Sequence, residues 1–217
     1  MYLHDRQEAG RLLAASLVEK YRFEDTVILA LSPGGVVVGY EIAKALHARL
    51  SLLLTEPIPM PGVAESEVIG LIDQEGHFTY NSMIPTGLLT ELVSEMHSYI
   101  ESEKLLKLHK LSRIMNEEGL IDPSQFYGHH VIIVSDGFKN GLSFDAAVNY
   151  LKPINTGKLI AVAPNASVRA IDRLHIAADE IYVSDVVANY LDTDHYFEDN
   201  TLPDIQQLMN EIIHKWE

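Results

Sequence analysis

The residues best placed to do chemistry lie in two glycine-bearing stretches. One is "VIIVSDGFKNGLSF", residues 131–144: an apolar run, then Ser135 and Asp136, then a loop from Gly137 to Gly141, then apolar residues at helical spacing. A helix beginning near Leu142 would point its unpaired N–H groups and the positive end of its dipole at that loop. Gly137 and Gly141 would let the backbone come close to an anion. Asn140 and Ser143 could donate side-chain hydrogen bonds, and Lys139 could add positive charge. Asp136 could accept hydrogen bonds from hydroxyls such as a sugar offers. Spacing alone leaves a second reading open: an ordinary βα turn in which Asp136 caps the loop and Ser143 caps the helix. The other stretch is Ser32-Pro33-Gly34-Gly35, a turn that also follows an apolar run.

These stretches need a frame. "TVILALS" (26–32), "SLLLT" (51–55), "HVIIVS" (130–135), "KLIAVAP" (158–164) and "EIYVSD" (180–185) are short apolar runs of the kind buried in a parallel sheet. Helical spacing is predicted for 5–20 with Asp5 as cap, and for 36–50, 142–152, 166–175 and 202–216, where Trp216 would pack the last helix. Strands alternating with helices predict an α/β fold, a mainly parallel sheet flanked by helices. Ligands of such sheets bind beyond the carboxyl ends of the strands. Residues 56–118 interrupt the alternation. "EPIPMPGVAESEV" is too rich in proline for a regular element, and 70–81 looks like a hairpin. One long helix is expected from about Thr86 to Glu118, ended by Gly119. Residues 1–217 thus form one domain with 56–118 inserted in it.

Composition excludes several classes. The net charge of −15 argues against a nucleic-acid partner, which needs a basic face. With no cysteine there are no disulfides, thiol nucleophiles or thiolate metal sites, which fits a reducing, cytoplasmic location. No apolar run is long enough to span a membrane, and "MYLHDRQEAG" lacks the apolar core of a signal peptide. GxGxxG, GxxxxGK[ST], GxSxG and HExxH are all absent. No metal ligands are assigned: His129-His130 reads as a strand-edge pair, and the acidic run "LDTDHYFED" (191–199) as a solvated loop.

"HDRQEAGRLLAASL", "VILALSPGGVVVGYEIAKAL", "VIIVSDGFKNGLSFDAAVNYLK" and "LIAVAP…ADEIYV" stand in order from Asp5 to about Asp199. Together they resemble the type I phosphoribosyltransferases, most of all the bacterial group that opens Asp-Arg-x-x-Ala-Gly. The resemblance implies a parallel sheet with a hood over the carboxyl ends of its strands, the hood falling on 56–118. It implies 5-phosphoribosyl 1-pyrophosphate with Mg2+ as substrate, and displacement of pyrophosphate at the anomeric carbon by a nitrogen nucleophile. It makes Ser135, Asp136, Gly137, Lys139, Asn140, Gly141, Leu142 and Ser143 substrate-binding residues. Ser32, Pro33, Gly34 and Gly35 become the pyrophosphate loop, and the apolar stripe of 86–118 becomes hood packing or a homodimer face.

The sequence departs from that family at telling places. Ser135 stands where the first of two acids is usual, Pro33 where the pyrophosphate loop has arginine, Thr55-Glu56 where Arg-Lys is usual, and Glu65-Ser66 where Pro-Glu precedes Ile69-Gly70. Lost cations and an added carboxylate should weaken pyrophosphate binding. The expectation is therefore a small phosphorylated ribose ligand, with transferase activity weak or lost and Mg2+ relevant only to an active enzyme. The alternatives are an active transferase acting on an unidentified base, and a non-enzymatic regulatory or scaffold protein. Related pyrophosphate loops often hold a cis peptide, so Ser32–Pro33 is expected to be cis.

Overall fold

The structure, a computed structural model, describes residues 2–62, 67–115, 121–204 and 207. The chain divides into two compact units: Met1–Leu53 with Ile121–Glu217, and Leu54–Leu120.

Unit 1 is built on a five-stranded, all-parallel sheet in the order β2-β1-β6-β7-β8. Its strands are β1 Thr26–Ala30, β2 Arg49–Leu52, β6 His130–Val134, β7 Leu159–Ser167 and β8 Glu180–Val187, numbered over the whole chain. Every residue of β1 is buried, as an uninterrupted apolar run requires of a central strand. On one face Val27, Leu29, Val131, Ile133, Ala161 and Ala163 share a core with Phe144, Ala147 and Leu151 of α5 (Leu142–Leu151) and with Ala170 and Leu174 of α6 (Val168–Ala177). On the other face α2 (Pro33–Leu46) lies at contact distance from Ile28, Leu50 and Val134 at Gly39. α1 (Arg6–Tyr21) begins where the sequence predicted a cap, with Asp5 Oδ1 accepting the Glu8 N–H at 2.7 Å. The chain runs outward from β1 to β2 in one direction and from β6 to β8 in the other, so strand order reverses between β1 and β6.

Two expectations for this unit need correction. Pro33, Gly34 and Gly35 are the first turn of α2, which ends at Leu46, with β2 already begun at Arg49. The described residues contain no cis peptide, so Ser32–Pro33 is trans. One cause explains both. Ser32 is extended, at φ −158°, and its hydroxyl accepts the Gly35 N–H, so Pro33 falls at the first helical position, where its fixed φ suits the helix and its missing N–H is not needed. The helix expected over 202–216, and Trp216, lie outside the described residues apart from 202–204 and 207.

Unit 2 has an antiparallel sheet of β3 (Thr55–Pro59), β4 (Val68–Asp73) and β5 (Phe78–Tyr80), in that order. β4 and β5 are the expected hairpin. β3 corrects the irregular reading of the proline-rich stretch: as an edge strand it tolerates Pro57 and Pro59. The long helix is instead two, α3 (Thr86–Glu95) and α4 (His97–Met115), parting at Met96 with φ −108° and ψ 18°. The break lets Leu89, Val93 and Met96 join Tyr99 and Ile100 against Ile58 and Ile69 in one small core. Leu106, counted in the predicted apolar stripe, is mostly exposed. Glu65-Ser66, Glu118 and Gly119 lie outside the described residues.

Candidate functional site

The loops that follow β1 and β6 flank the reversal of strand order in unit 1, the place where open parallel sheets hold ligands. The loop 137–141 has a one-sided hydrogen-bond pattern. Its carbonyls are all tied back to the body of the unit. Ser135 Oγ donates to Gly137 O at 2.8 Å, the Ser167 N–H to Phe138 O at 2.9 Å and Ser167 Oγ to Lys139 O at 2.7 Å. Arg173 Nη1 donates to Asn140 O at 3.2 Å, and the Asp145 N–H to Gly141 O at 3.1 Å. The N–H groups of Lys139, Asn140, Gly141 and Ser143, by contrast, have no acceptor among the described residues. Gly141 makes the turn possible. It sits at φ 73° as the residue before α5, a conformation costly to other residues. Unspent N–H groups beside a helix start, with the carbonyls turned away, form an anion-binding concavity.

The side chains differ from their expected roles in detail. Asn140 is an acceptor here, its Oδ1 taking the Leu142 N–H at 3.1 Å. Ser143 does not cap α5, which has no side-chain cap, and its hydroxyl has no partner among the described residues. Lys139 is exposed and Leu142 buried. Ser135 spends its hydroxyl within the loop, donating to Gly137 O and accepting the Gly137 N–H at 3.2 Å.

Asp136 corrects the picture of a free sugar acceptor. Oδ2 accepts from Arg6 Nε at 2.8 Å and Oδ1 from Ser32 Oγ at 2.8 Å. The carboxylate lies so close over the start of α2 that a Cβ on Gly34 would fall 1.9 Å from Oδ2. The residues expected to hold the ribose and the pyrophosphate are thus bonded to each other. Arg6, 3% exposed, also donates through Nη1 to Asn200 Oδ1 at 3.1 Å and through Nη2 to Asp194, and stacks 4.5 Å from the Phe197 ring. Burial works against its charge, but the bonds to Asp136 and Asp194 outweigh it and raise its pKa. Tyr190 roofs the loop: its hydroxyl lies 2.1 Å from where a Gly137 Cβ would stand and 3.1 Å from Thr193 Oγ1, and burial pushes it up to about 12.

Thr55 and Glu56 are on β3 of unit 2, where Glu56 is paired with Lys110 at 2.6 Å and Lys107 at 3.7 Å. A carboxylate so paired is a weaker source of repulsion than the sequence suggested. His130 Nδ1 accepts the Lys158 N–H at 2.9 Å, and His129 Nδ1 lies 2.9 Å from Tyr127 O. In the acidic run, Asp194 holds Arg6, Asp192 caps a short 3-10 turn and Asp199 takes the Thr201 N–H.

No family model matches the sequence. Two curated relatives from Mycobacterium tuberculosis strains, provisionally named phosphoribosyl transferases, are each 28% identical over 177 residues, 82% of this chain. The chain is thus similar to these phosphoribosyl transferases over most of its own length. It spans 39% of the length of those relatives. A crystal structure from Thermus thermophilus shares 26% identity and a TM-score of 0.77, covering 100% of this chain and 99% of that one. A protein of Aquifex aeolicus, 13% identical with a TM-score of 0.51 over 87% of this chain and 76% of its own, shares the fold. The architecture is the expected α/β fold, a five-stranded parallel sheet flanked by helices. No described helix is long and apolar enough to cross a membrane.

Within this fold, Arg6, Asp194, Asn200 and Tyr190 stand beside the site although sequence reasoning did not place them there. Arg6 had a signal, the Asp-Arg opening. Asp194 had a weaker one, the acidic run.

Proposed function

We propose that the loop 137–143 binds the phosphate of a small phosphorylated ribose ligand, 5-phosphoribosyl 1-pyrophosphate, ribose 5-phosphate or a nucleoside monophosphate, and that transferase activity is weak or lost. One observation carries the binding: five successive loop carbonyls are held inward while neighbouring N–H groups are left without acceptors. The loss of transfer is supported by the closed ribose and pyrophosphate ends. Phosphoribosyl transfer rests on positioning a departing pyrophosphate and stabilising its charge. Here the start of α2 faces Asp136, a carboxylate, and Pro33 supplies no cation.

Magnesium does not fit these residues. Both Asp136 oxygens already accept from Arg6 and Ser32, and a guanidinium beside a carboxylate opposes a second cation there.

The test is titration with ribose 5-phosphate of the wild type and of Gly141→Val. The valine must take φ 73° with its Cβ 3.0 Å from Arg173 Cβ, so the turn is lost. A loss of binding of about tenfold or more is expected, from one or two charge-assisted hydrogen bonds. Equal affinity in a folded variant overturns the reading. A pyrophosphate-release assay across bases then tests the claim of weak transfer, and rapid turnover with any base would favour the active alternative.

A further inference from the structure

Arg6 is spent in a way a purely structural arginine need not be. Its guanidinium joins Asp136, the carboxylate just before the loop, to Asp194 and Asn200 of the chain's 190–200 segment. That segment is tied to the residues just before α1 by the Leu3 N–H to Tyr196 O at 3.0 Å, the Glu198 N–H to Leu3 O at 3.0 Å and the Asp199 N–H to His4 O at 2.8 Å. It carries Tyr190, whose hydroxyl lies against Gly137. The two ends of the guanidinium differ. Asp136 is buried, whereas the Asp194 side chain is 63% exposed, so water can replace the second link far more easily than the first.

We propose that Arg6 is the latch of a strap, residues 190–200, that keeps the ribose subsite closed by occupying Asp136, and that a sugar diol opens the strap by taking Arg6's place on that carboxylate. The inference rests on loop 137–143 being the phosphate site. A bare phosphate needs the loop N–H groups alone. A ribose phosphate needs Asp136 as well, and so must displace Arg6 and, with it, the anchor of Asp194 and Asn200. Arg6 is in this sense a positioning residue: it sets whether the site distinguishes a ribose phosphate from phosphate itself.

Hydrogen exchange on the full chain separates the possibilities, with inorganic phosphate and ribose 5-phosphate as the two probes. Both should protect the amides of residues 139–143. Ribose 5-phosphate alone should speed exchange at Leu3, Glu198 and Asp199, by about fivefold at saturation, since those amides report opening of the strap. Loop protection by both probes with no change at the three strap amides overturns the latch and leaves the phosphate site standing. Absence of loop protection by either probe overturns both. Arg6→Lys gives a second readout. It keeps the charge but loses the planar fork that reaches three partners. Strap exchange should rise without ligand, and affinity for ribose 5-phosphate should rise about fivefold relative to phosphate, because the closed state is less populated. A variant with both values at wild-type level overturns the proposal.

Discussion

Two helices of unit 1 start at the carboxyl ends of neighbouring parallel strands, and they have been finished in opposite ways. α2 follows β1 and has been closed: Ser32 takes the Gly35 N–H, Pro33 removes another donor, and the Asp136 carboxylate lies over Gly34. α5 follows β6 and has been left more open: Gly141 before it offers no side-chain cap, Asn140 Oδ1 takes only the Leu142 N–H, and the N–H groups of Lys139, Asn140, Gly141 and Ser143 have no acceptor among the described residues. Both starts have the same dipole and the same kind of orphan donors. What differs is whether the chain's own side chains have spent them. A helix start in this position becomes a ligand site only where capping fails, so the missing cap on α5 is as informative as its glycines.

The sharpest way to break the comparison is to put a methyl group at the closed end. Gly34→Ala places Cβ 1.9 Å from Asp136 Oδ2 and 2.6 Å from Arg6 Nε. Overpacking and disturbance of a buried ion pair should together cost about 3 kcal/mol in urea unfolding. Phosphate affinity at the open end should hold in the folded fraction. A cost under about 0.5 kcal/mol would mean that Asp136 is free to swing away, and the closed end would not be closed.

Such titrations belong above about pH 5, and the reason lies in another carboxylate. Glu180 begins β8. Burial alone would raise its pKa, but bonds from Lys20, Lys158 at 2.9 Å and Tyr182 at 3.0 Å outweigh that and hold it at about 2, against an ordinary value of 4.5. A folded pKa below the unfolded one means stability present above pH 4.5 and lost as pH falls from there toward 2. The loss should be about 2 kcal/mol once solvent screening is allowed for. Glu180→Gln should flatten that acid limb. An unchanged limb would move the acid sensitivity to another group.

The serines of the two ends offer a crossed test of smaller size. Ser32→Ala removes a cap and a hydrogen bond to Asp136, so it should cost about 1–2 kcal/mol of stability and leave phosphate affinity alone. Ser143→Ala should do the reverse: stability within about 0.5 kcal/mol and phosphate binding weaker by about 1 kcal/mol. Parallel effects in the two variants would erase the distinction between the helix starts.

Most of the sheet was legible because its strands are unbroken apolar runs, and the loop before α5 because glycines mark it. The closed end was misread for a local reason: "SPGG" looks like a turn, yet a serine cap followed by proline is also how a helix begins. The break at Met96 left no trace, since apolar residues keep helical spacing across it while the packing partners, Ile58 and Ile69, lie far upstream. The Arg6 network was hidden by separation. Its partners stand 130, 188 and 194 residues away, and no periodicity in a linear sequence joins them.

The smallest expected effect concerns the charge missing at Pro33. If that lost cation were what disables the pyrophosphate end, Pro33→Arg should restore affinity for 5-phosphoribosyl 1-pyrophosphate by about tenfold, the worth of one charge-assisted contact. The geometry argues otherwise. Position 33 is the first residue of α2, and the donors an anion would meet there face Ser32 and Asp136. A new guanidinium at that point would find a carboxylate already at hand in Asp136, which Arg6 shares. Its charge would be spent inside the protein, so the substitution should change affinity by less than about twofold, for the pyrophosphate ligand and for ribose 5-phosphate alike. Adding Thr55→Arg and Glu56→Lys should leave the guanidinium introduced at position 33 equally spent. Calorimetric titration of the single and triple variants against both ligands decides the matter. A selective gain for the pyrophosphate ligand in the single variant would show that the start of α2 still receives an anion, and that the difference between the two helix starts is one of charge and not of capping.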